Sequence, residues 1–512
     1  MKSNSQNTKR LAKNTTFLYF RMIIIMCVTL YTSRVVLATL GVQDFGIYNV
    51  VGGVVAMFGI VTGALSAAVS RFLNIEMGRH NNENLRNVFS TSVFIHVILA
   101  VIIFLLAEVV GPWFIENKMT IPEDRLSAAT WVFHCSIATF CINLISIPYN
   151  ACIIANENMK VYAYVSILEA VLKLSIVYIL VYFSIDKLQL YGILMLCVAL
   201  TIRLIYQIYC NRKYEESHLL WYFDAGLVKK MFGFASWNMI GSLSVILADQ
   251  GVNILINIFC SPFVNAARGI AVQVSHAVNQ FSSNFMTALN PQITKSYGAQ
   301  ELDQYKNLMI KGSKISVIML LVLSLPILLE TDYILCGWLK IVPDHAVPFV
   351  QLILLFAISE AFSHTFTTGL LATGKIKWLM ILVAGTRLMN FPLSWLALRL
   401  WGIPELTMAI SVILSQICLV LRLNLLKKHI IMNVFHYYCV VVVRLCAIGV
   451  GSFLISYVVT RHFMSESFLR LLISAICVET VFIVSVYCLG LNKSEKQFLV
   501  SIVSKLSSKF SK

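Results

Sequence analysis

The stretch TTFLYFRMIIIMCVTLYTSRVVLAT, Thr15–Thr39, is mostly apolar, and its only charged residues are Arg21 and Arg34. About 20 apolar residues in a row are enough to cross the hydrocarbon core of a bilayer as an α-helix. The stretch is too long for the apolar core of a signal peptide, and it lacks a small-residue cleavage site. We therefore expect a retained membrane-spanning helix that holds two guanidinium groups at membrane depth.

The rest of the chain has the same character. Of its 512 residues, 58% are hydrophobic and 12% are charged, whereas a soluble globular protein is about 25% charged. Apolar runs recur from end to end and predict an all-α membrane protein with about 14 transmembrane helices. The predicted spans are 15–39, 47–72, 87–111, 127–153, 160–183, 189–211, 231–258, 264–290, 309–330, 346–372, 376–398, 404–426, 434–459 and 468–490. Gly46 is expected to break the helix in a short outward turn after the first span.

The distribution of Lys and Arg orients these helices. One alternate set of connecting segments, together with both terminal segments, contains about 26 of the 40 basic residues, and the other set contains about six. Because Lys and Arg are enriched in cytoplasmic segments, both termini are predicted to be cytoplasmic. This asymmetry accounts for most of the net charge of +16, so the charge does not require a nucleic-acid partner.

Two connecting segments match at an offset of 220 residues. GRHNNENLRN, which begins at Gly78, aligns with GAQELDQYKN, which begins at Gly298. The offset spans about six predicted helices, an even number, so both copies have the same orientation. This predicts two six-helix lobes related by a pseudo-two-fold axis along the membrane normal, followed by two C-terminal helices.

The repeat sets the predicted domain boundaries. They are 1–14 for a cytoplasmic N-terminal segment, 15–211 for the first lobe, 212–230 for a cytoplasmic linker, 231–426 for the second lobe, 434–490 for the last two helices and 491–512 for a basic tail. The tail interleaves apolar residues with lysines. It is either an amphipathic helix on the anionic inner leaflet or a solvated segment.

Charged residues inside membrane spans are costly, so they usually contact protein or water. Three pairs of opposite charge lie at matching depth or helical spacing. We interpret them as structural ion pairs: Glu169 with Lys173, Glu360 with Arg387, and Arg444 with Glu479.

The remaining arginines are predicted to bind an anion. Arg21, Arg34 and Arg203 have no acidic partner at their depth in the first lobe, and Arg268 has only Asp249 within reach. Unpaired guanidinium groups at membrane depth indicate a water-filled cavity that binds an anion. For Arg34 and Arg268 the alternative is a side chain that reaches the outer interface.

Polar side chains also line one face of the seventh and eighth predicted helices. They are candidates for contacting sugar hydroxyls, and the alternative is hydrogen bonding between helices. The candidates are Asn253, His276, Asn279, Gln280 and Asn284. Asp249 and Glu360 are candidates for coupling transport to a proton or sodium gradient.

The sequence lacks the short motifs of nucleotide-hydrolysing and metal-binding proteins. It contains no G-x-x-x-x-G-K-[ST], no H-E-x-x-H, no C-x-x-C and no other metal-ligand spacing. We therefore expect a secondary transporter without catalytic residues, cofactor or metal.

Several longer stretches resemble a known family. They are TSRVVLATLGVQDFGIYNVVGGVVAMFG, AAVSRFLNIEMGR, IPYNACIIANENMK and VNAARGIAVQVSHAVNQFSSNFMTALNPQITKSYG. They resemble the polysaccharide-transporter branch of the multidrug/oligosaccharidyl-lipid/polysaccharide exporter superfamily, and within it the bacterial O-antigen and capsule-repeat flippases.

The resemblance implies a function. Such proteins move undecaprenyl-diphosphate-linked oligosaccharide (an O-antigen, capsule or exopolysaccharide repeat unit) across the bacterial cytoplasmic membrane by alternating access. Membrane lipids and a polysaccharide polymerase are candidate partners. Related lipid II flippases hold the diphosphate with arginines on their first and eighth helices, and Arg21, Arg34 and Arg268 lie at roughly matching places.

Three alternatives stay open at this point. A cation-coupled multidrug exporter of the same superfamily is expected to line its cavity with acidic groups rather than arginines. A lipid II flippase differs in its cargo, which the sequence does not identify. A membrane polysaccharide polymerase needs a large outward loop or catalytic segment, and the connecting segments here are short.

Overall fold

A computed structural model of the chain describes residues 2–56, 59–118, 122–182, 186–220, 224–260, 262–339, 342–427, 433–463, 465–492 and 495–496. In these ranges the chain is almost entirely helical and contains no β-strand. The predicted tail, 491–512, lies mostly outside the described residues.

The α-helices, numbered in chain order, have the following bounds. They are α1 (Lys2–Ala56), α2 (Gly59–Gly78), α3 (Asn82–Lys118), α4 (Leu126–Ala155), α5 (Met159–Tyr182), α6 (Lys187–Lys213), α7 (Ala225–Phe259), α8 (Pro262–Gly298), α9 (Leu302–Leu329), α10 (Thr331–Leu339), α11 (Ala346–Ala361), α12 (His364–Thr373), α13 (Lys377–Leu379), α14 (Gly385–Leu388), α15 (Asn390–Trp401), α16 (Leu406–Leu426), α17 (Val434–Tyr437), α18 (Arg444–Phe463) and α19 (Phe468–Ser485). Short 3₁₀ turns lie at Glu123–Arg125 and Glu215–Ser217, and π-helical segments lie at Met380–Ala384, Tyr438–Val443 and Val486–Gly490.

Eleven helical segments within the described ranges are long and apolar enough to cross a membrane. Further helices, α1, α2 and α8, have 55, 20 and 37 residues. The longest apolar helices expose large side chains: on α3, Leu105, Leu106 and Val109 are 60%, 61% and 77% exposed. Hydrocarbon rather than water suits such a surface. The all-α membrane fold with about 14 transmembrane helices is confirmed.

The predicted break at Gly46 is wrong. Helix α1 continues through Gly46 to Ala56. A glycine inside a helix costs only about 1 kcal/mol relative to alanine, and no proline follows it. Buried side chains on both sides of this region, including Leu40 and Val51, pack in the core and offset that cost.

The chain forms two compact units. Unit 1 comprises Met1–Leu243, Asn284–Leu308 and Thr368–Met380, and unit 2 comprises Ser244–Ser283, Met309–Thr367 and Ile381–Lys512. Unit 1 therefore contains α1–α6, α13, the first parts of α7 and α9, and the ends of α8 and α12. The division into lobes at 15–211 and 231–426 stays a prediction.

Each unit has its own aromatic core. In unit 1, the rings of Phe89 and Tyr149 are fully buried and meet edge to face, with centroids 5.1 Å apart. In unit 2, Phe366 and Tyr437 meet in the same way at 5.0 Å. Such pairs add about 0.5–1.5 kcal/mol beyond the burial of their surface, so they help to fix the helices that carry them.

The backbone repeats at the offset found in the sequence. His80 and Gln300, 220 residues apart, both have positive φ, at 55° and 61°. Each follows a helix that ends in glycine, α2 at Gly78 and α8 at Gly298. Equivalent positions of the two sequence copies therefore adopt the same uncommon backbone conformation.

Candidate functional site

The first candidate site is a cavity of about 400 Å³ within unit 1. It lies beside α1 and α5, which pack against each other, and Tyr191 of α6 closes one side. We call it the α1–α5 cavity. Its polar lining consists of Arg21, Thr29, Thr32, Tyr48, Ser166, Glu169, Lys173 and Tyr191. Three charged groups and several hydroxyl donors therefore face one space.

Arg21 is held in this cavity by an aromatic ring. Its Cζ atom lies 4.5 Å from the centroid of the Tyr162 ring, a cation–π distance. Its Nε–H group is buried and has no hydrogen-bond partner among the described residues. The guanidinium thus keeps donor capacity for a ligand, while the ring fixes its position.

Glu169 and Lys173 also line the cavity. The Lys173 ammonium donates to the Glu169 carboxylate at 2.6 Å, so the predicted contact between residues four apart is present. The side chains are 36% and 41% exposed, respectively, so water screens the pair. With Arg21, the formal charge of the lining is two positive and one negative.

The other two arginines predicted in the first lobe differ from Arg21. The Cζ atom of Arg203 lies 4.1 Å from the centroid of the Tyr149 ring, and its Nη1 atom is buried without a hydrogen-bond partner among the described residues. Arg203 is not among the residues that line the α1–α5 cavity. The side chain of Arg34 lies outside the described residues, although its backbone belongs to α1.

A second cavity of about 480 Å³ lies in the same unit. We call it the α4 cavity, because much of its lining comes from α4. None of the described residues that line it is charged; the polar lining is Tyr48, Thr62, Ser136, Thr139 and Asn143, beside the ring of Phe140. Tyr48 lines both cavities, and its ring meets that of Tyr191 edge to face at 4.8 Å. Two neighbouring cavities, one charged and one neutral, therefore share a tyrosine wall.

In unit 2, Arg268 has polar partners. The side chain is 4% exposed. Its Nη1 donates to Asn253 Oδ1, and its Nη2 lies 3.9 Å from Asp249 Oδ1. The Asp249 side chain is 64% exposed. Arg268 thus contacts the one carboxylate that the sequence placed within its reach.

Glu360 contacts Arg387 as predicted, and it has a second cationic neighbour. Its carboxylate accepts a hydrogen bond from Arg387, and Arg422 Nη1 lies 4.0 Å away. The sequence analysis does not name Arg422 as a partner, although the residue lies inside the predicted span 404–426. The structure has it buried in α16, four residues before the helix ends. The position of Arg422 inside the predicted span, where a charge needs a partner, was the available signal.

The third predicted ion pair is wrong. Arg444 and Glu479 form no ion pair in the described structure, and Glu479 Oε2 is buried without a hydrogen-bond partner there. Depth along two helices does not determine which faces they turn to each other, and this explains the error.

The polar side chains predicted to line one face of the seventh and eighth helices lie in different environments. Asn253 accepts from Arg268, and Asn279 donates to Ser275 Oγ at 3.1 Å. His276 and Gln280 are exposed, and Asn284 is buried. Asn253 and Asn279 therefore form hydrogen bonds within the protein.

One further ion cluster connects three elements of unit 1 at the predicted outer side. Arg125, at the start of α4, donates to Asp44 of α1 at 2.9 Å and also to Asp186. Asp186 caps α6 by accepting from the amides of Leu188 and Gln189. Burial raises the pKa of Asp186, but hydrogen bonds from Arg125 and these amides outweigh that effect and hold the pKa below its usual value.

Two family models match overlapping parts of the chain. A family model described as polysaccharide biosynthesis protein matches residues 11–297, and the MatE family model matches residues 239–396. No curated protein sequence matches the chain significantly.

Solved structures share the fold at low sequence identity. An outward-facing multidrug resistance MATE family transporter of the MOP superfamily has a TM-score of 0.71 and 12% identity, over 83% of this chain and 96% of that one. A MATE protein in the straight conformation has a TM-score of 0.70 and 13% identity, over 83% and 96%. A MOP superfamily transporter from Pyrococcus furiosus Vc1, whose reverse pocket polarity suggests a different function, has a TM-score of 0.65 and 12% identity, over 83% and 96%. At this identity the likeness concerns the fold alone.

Proposed function

The chain belongs to the polysaccharide biosynthesis protein family, within the MOP superfamily of transporters, and we propose that it is a flippase for undecaprenyl-diphosphate-linked oligosaccharide. The cargo is an O-antigen, capsule or exopolysaccharide repeat unit. The protein lies in the bacterial cytoplasmic membrane with both termini in the cytoplasm, and it moves the cargo by alternating access without a catalytic step.

The observation that carries the proposal is Arg21 in the α1–α5 cavity. A diphosphate carries about two negative charges, and one opposite charge at 4 Å contributes about 4 kcal/mol at an effective dielectric constant near 20. Arg21 has a buried N–H without a partner, and Lys173 is the second cation on the same wall. Hydroxyl groups of Thr29, Thr32 and Ser166 line the remaining wall and suit phosphate oxygens.

The sugars of the cargo have a matching environment in the α4 cavity. Its hydroxyl and amide groups suit sugar hydroxyls, and the ring of Phe140 offers an apolar face. Its charge-free lining favours neutral sugars over acidic ones. The polar residues predicted on the seventh and eighth helices remain candidates for further sugar contacts: Asn253, His276, Asn279 and Gln280 in unit 2, and Asn284 in unit 1.

Three further arginines, Arg34, Arg203 and Arg268, are also proposed to bind the diphosphate. Arg203 supports this role through its buried Nη1, which has no partner in the described structure. Arg34 and Arg268 complete the set. Asp249 and Glu360 are the proposed sites of coupling to a proton or sodium gradient, and the exposure of Asp249 gives it access to ions.

Deletion of the gene tests the function. If the protein is a flippase, complete lipid-linked repeat units accumulate on the cytoplasmic leaflet and surface polysaccharide is lost. Incomplete sugars point instead to an enzyme of the same pathway. Complementation with Arg21→Ala or Arg203→Ala is expected to leave the polysaccharide absent although both variants insert normally. Full restoration by both contradicts the anion-binding role.

A second candidate is a cation-coupled multidrug exporter. The MatE model matches residues 239–396, and the exposed carboxylate of Asp249 lies in that region. A carboxylate suits a cationic drug. A changed drug-resistance profile in the deletion strain, with intact surface polysaccharide, favours this candidate.

A further inference from the structure

The ends of α2 and α8 are equivalent in detail. Just after α2, the amides of His80 and Asn81 donate to the carbonyls of Met77 and Glu76 at 3.2 Å each. At the offset of 220, the amides of Gln300 and Glu301 donate to the carbonyls of Tyr297 and Ser296 at 3.1 and 3.0 Å. Both patterns are Schellman caps. The two helices therefore end with the same geometry, although few of their residues are identical.

These two helix ends contact each other reciprocally. A Cβ atom added to Gly298 would lie 2.5 Å from the carbonyl oxygen of Ile75 and 3.1 Å from its Cα. A Cβ atom added to Gly78 would overlap the carbonyl oxygen of Lys295 and lie 3.0 Å from the amide nitrogen of Ala299. Ile75 and Lys295 are themselves 220 residues apart, as are Gly78 and Gly298. The contact thus maps onto itself when the copies are exchanged, which defines a local two-fold axis.

The contact is made by backbone on both sides. A side chain can rotate away from an added methyl group, but a helix carbonyl cannot move without its helix. Only glycine permits this approach, so the two positions determine how closely α2 and α8 pack.

A second pair of contacts flanks the glycines. The loop after α4 carries Glu157 at positive φ, 56°. Its carboxylate accepts from Lys295 Nζ and Gln292 Nε2 of α8, each at 3.0 Å. The side chain of Glu157 is 1% exposed and that of Lys295 is 23% exposed, so Lys295 supplies the opposite charge to a buried carboxylate. Removal of one partner from such a pair is strongly destabilising.

The corresponding contact, between the end of α12 and α2, is formed by different groups. The turn after α12 carries Gly374 at positive φ, 74°. Arg71 of α2 donates to the preceding carbonyls, Leu371 at 2.8 Å and Ala372 at 3.1 Å. A basic side chain suits the C-terminal end of a helix. In each copy, therefore, one helix end docks on the α2 or α8 of the other copy.

We propose that these contacts form a gate on the predicted cytoplasmic side, the α2–α8 latch, consisting of Gly78, Gly298, Glu157, Lys295, Arg71 and the end of α12. The latch joins the two sequence copies and lies on the side where the basic connecting segments are concentrated. Opening toward the cytoplasm requires the ends of α2 and α8 to move apart, away from their local two-fold axis. The proposal concerns the conformational change and does not depend on which cargo is moved.

Hydrogen exchange of the purified full-length protein in lipid nanodiscs tests the latch without any cargo. Gly78→Ala and Gly298→Ala are each expected to speed exchange at least about tenfold in both segments, 75–81 and 295–301, because one overlap separates both helices. Gly63→Ala in α2 and Gly269→Ala in α8 are matched controls, since a Cβ at either position meets no atom within 4 Å. Alanine favours a helix over glycine, so the controls are expected to leave exchange unchanged or slower.

The segments in which hydrogen exchange becomes faster distinguish a gate from a local packing defect. If Gly78→Ala speeds exchange only in α2, or if the controls have the same effect as the latch variants, the proposal is overturned. Glu157→Gln keeps the shape of the side chain and removes its charge, so it decides the question if the glycine variants fail to fold. Faster exchange in 292–301 and also in 71–81 is then expected, and unchanged exchange in 71–81 overturns the proposal.

Discussion

The guanidinium of Arg21 lies 4.5 Å from the centre of the Tyr162 ring, on the wall of the α1–α5 cavity. The ring stabilises the cation at membrane depth without neutralising it, because a cation–π contact adds no opposite charge. Arg21 forms no ion pair with a carboxylate in the described structure. It is therefore available to an anionic headgroup.

Arg21→Ala is expected to weaken binding of undecaprenyl diphosphate by roughly ten- to a hundredfold. Hydrogen bonds to charged groups contribute about 1.5–3 kcal/mol, and each 1.4 kcal/mol is about a factor of ten. Titration of the purified protein with the lipid measures the change, with undecaprenol as the uncharged comparison. Lys160→Ala is the matched control, because Lys160 also lies over an aromatic ring, that of Tyr164, but does not line the cavity. Equal losses in both variants contradict the assignment.

Substitutions of Glu169 and Lys173 are expected to change the affinity for undecaprenyl diphosphate in opposite directions. Glu169→Gln removes the negative charge from the lining and releases Lys173 from its 2.6 Å contact, so anion binding is expected to strengthen by up to about fivefold, the upper range for an exposed pair. Lys173→Met is expected to weaken it. The same titration, repeated at high salt, is expected to reduce both effects. Weaker binding after Glu169→Gln contradicts the cationic role of the cavity.

Glu360→Gln is expected to destabilise the protein by about 3–5 kcal/mol, because Arg387 and Arg422 then lose their shared buried carboxylate. Glu479→Gln is the control: its Oε2 is buried without a hydrogen-bond partner in the described structure. Replacing a carboxylate that has no ion-pair partner in the described structure is expected to leave stability unchanged or higher. Thermal unfolding in the same detergent measures both variants. Equal destabilisation contradicts the stabilising role of the Glu360 network.

Asp249→Asn is expected to abolish the dependence of transport on an ion gradient while cargo binding persists. The carboxylate is 64% exposed and lies 3.9 Å from Arg268, so it is accessible to a proton or sodium ion. Transport in proteoliposomes with each gradient imposed in turn measures the effect. If the native protein transports equally with every ion gradient collapsed, the coupling role of Asp249 and Glu360 is wrong.

Asp186→Asn is expected to lower the melting temperature near neutral pH but not in acid. The folded pKa of Asp186 lies below its usual value of 3.8, so the ionised form stabilises the fold above that value, and this stability is lost as pH falls through the folded pKa. The difference from the native protein is expected to be constant between about pH 5 and 7 and to shrink below about pH 4. Asp124→Asn, at an exposed neighbouring position, is the control. A difference that grows in acid contradicts the ion cluster.

Much of the fold follows from the sequence, because apolar runs of spanning length leave few alternatives to helices. The offset between Gly78 and Gly298 is also visible in both sequence and structure. The break at Gly46 was mispredicted because a single glycine is a weak signal when neighbouring side chains are buried.

Less of the candidate site could be predicted from the sequence. The contact between Glu169 and Lys173 follows from helical spacing, but their place on the wall beside Arg21 depends on how α1 packs on α5. Arg422 was missed because its position near a helix end resembles an interface. Arg444 and Glu479 match in depth, yet the rotation of their helices, which sequence does not determine, leaves them unpaired.

Flipping of fluorescent undecaprenyl-diphosphate oligosaccharide in proteoliposomes tests the anion cavity and the transport function together. The native protein is expected to equilibrate the lipid between leaflets, and Arg21→Ala is expected to flip it at least about tenfold more slowly at equal protein content. Equal rates for the native protein, Arg21→Ala and protein-free vesicles would show that the chain does not move this lipid through the α1–α5 cavity.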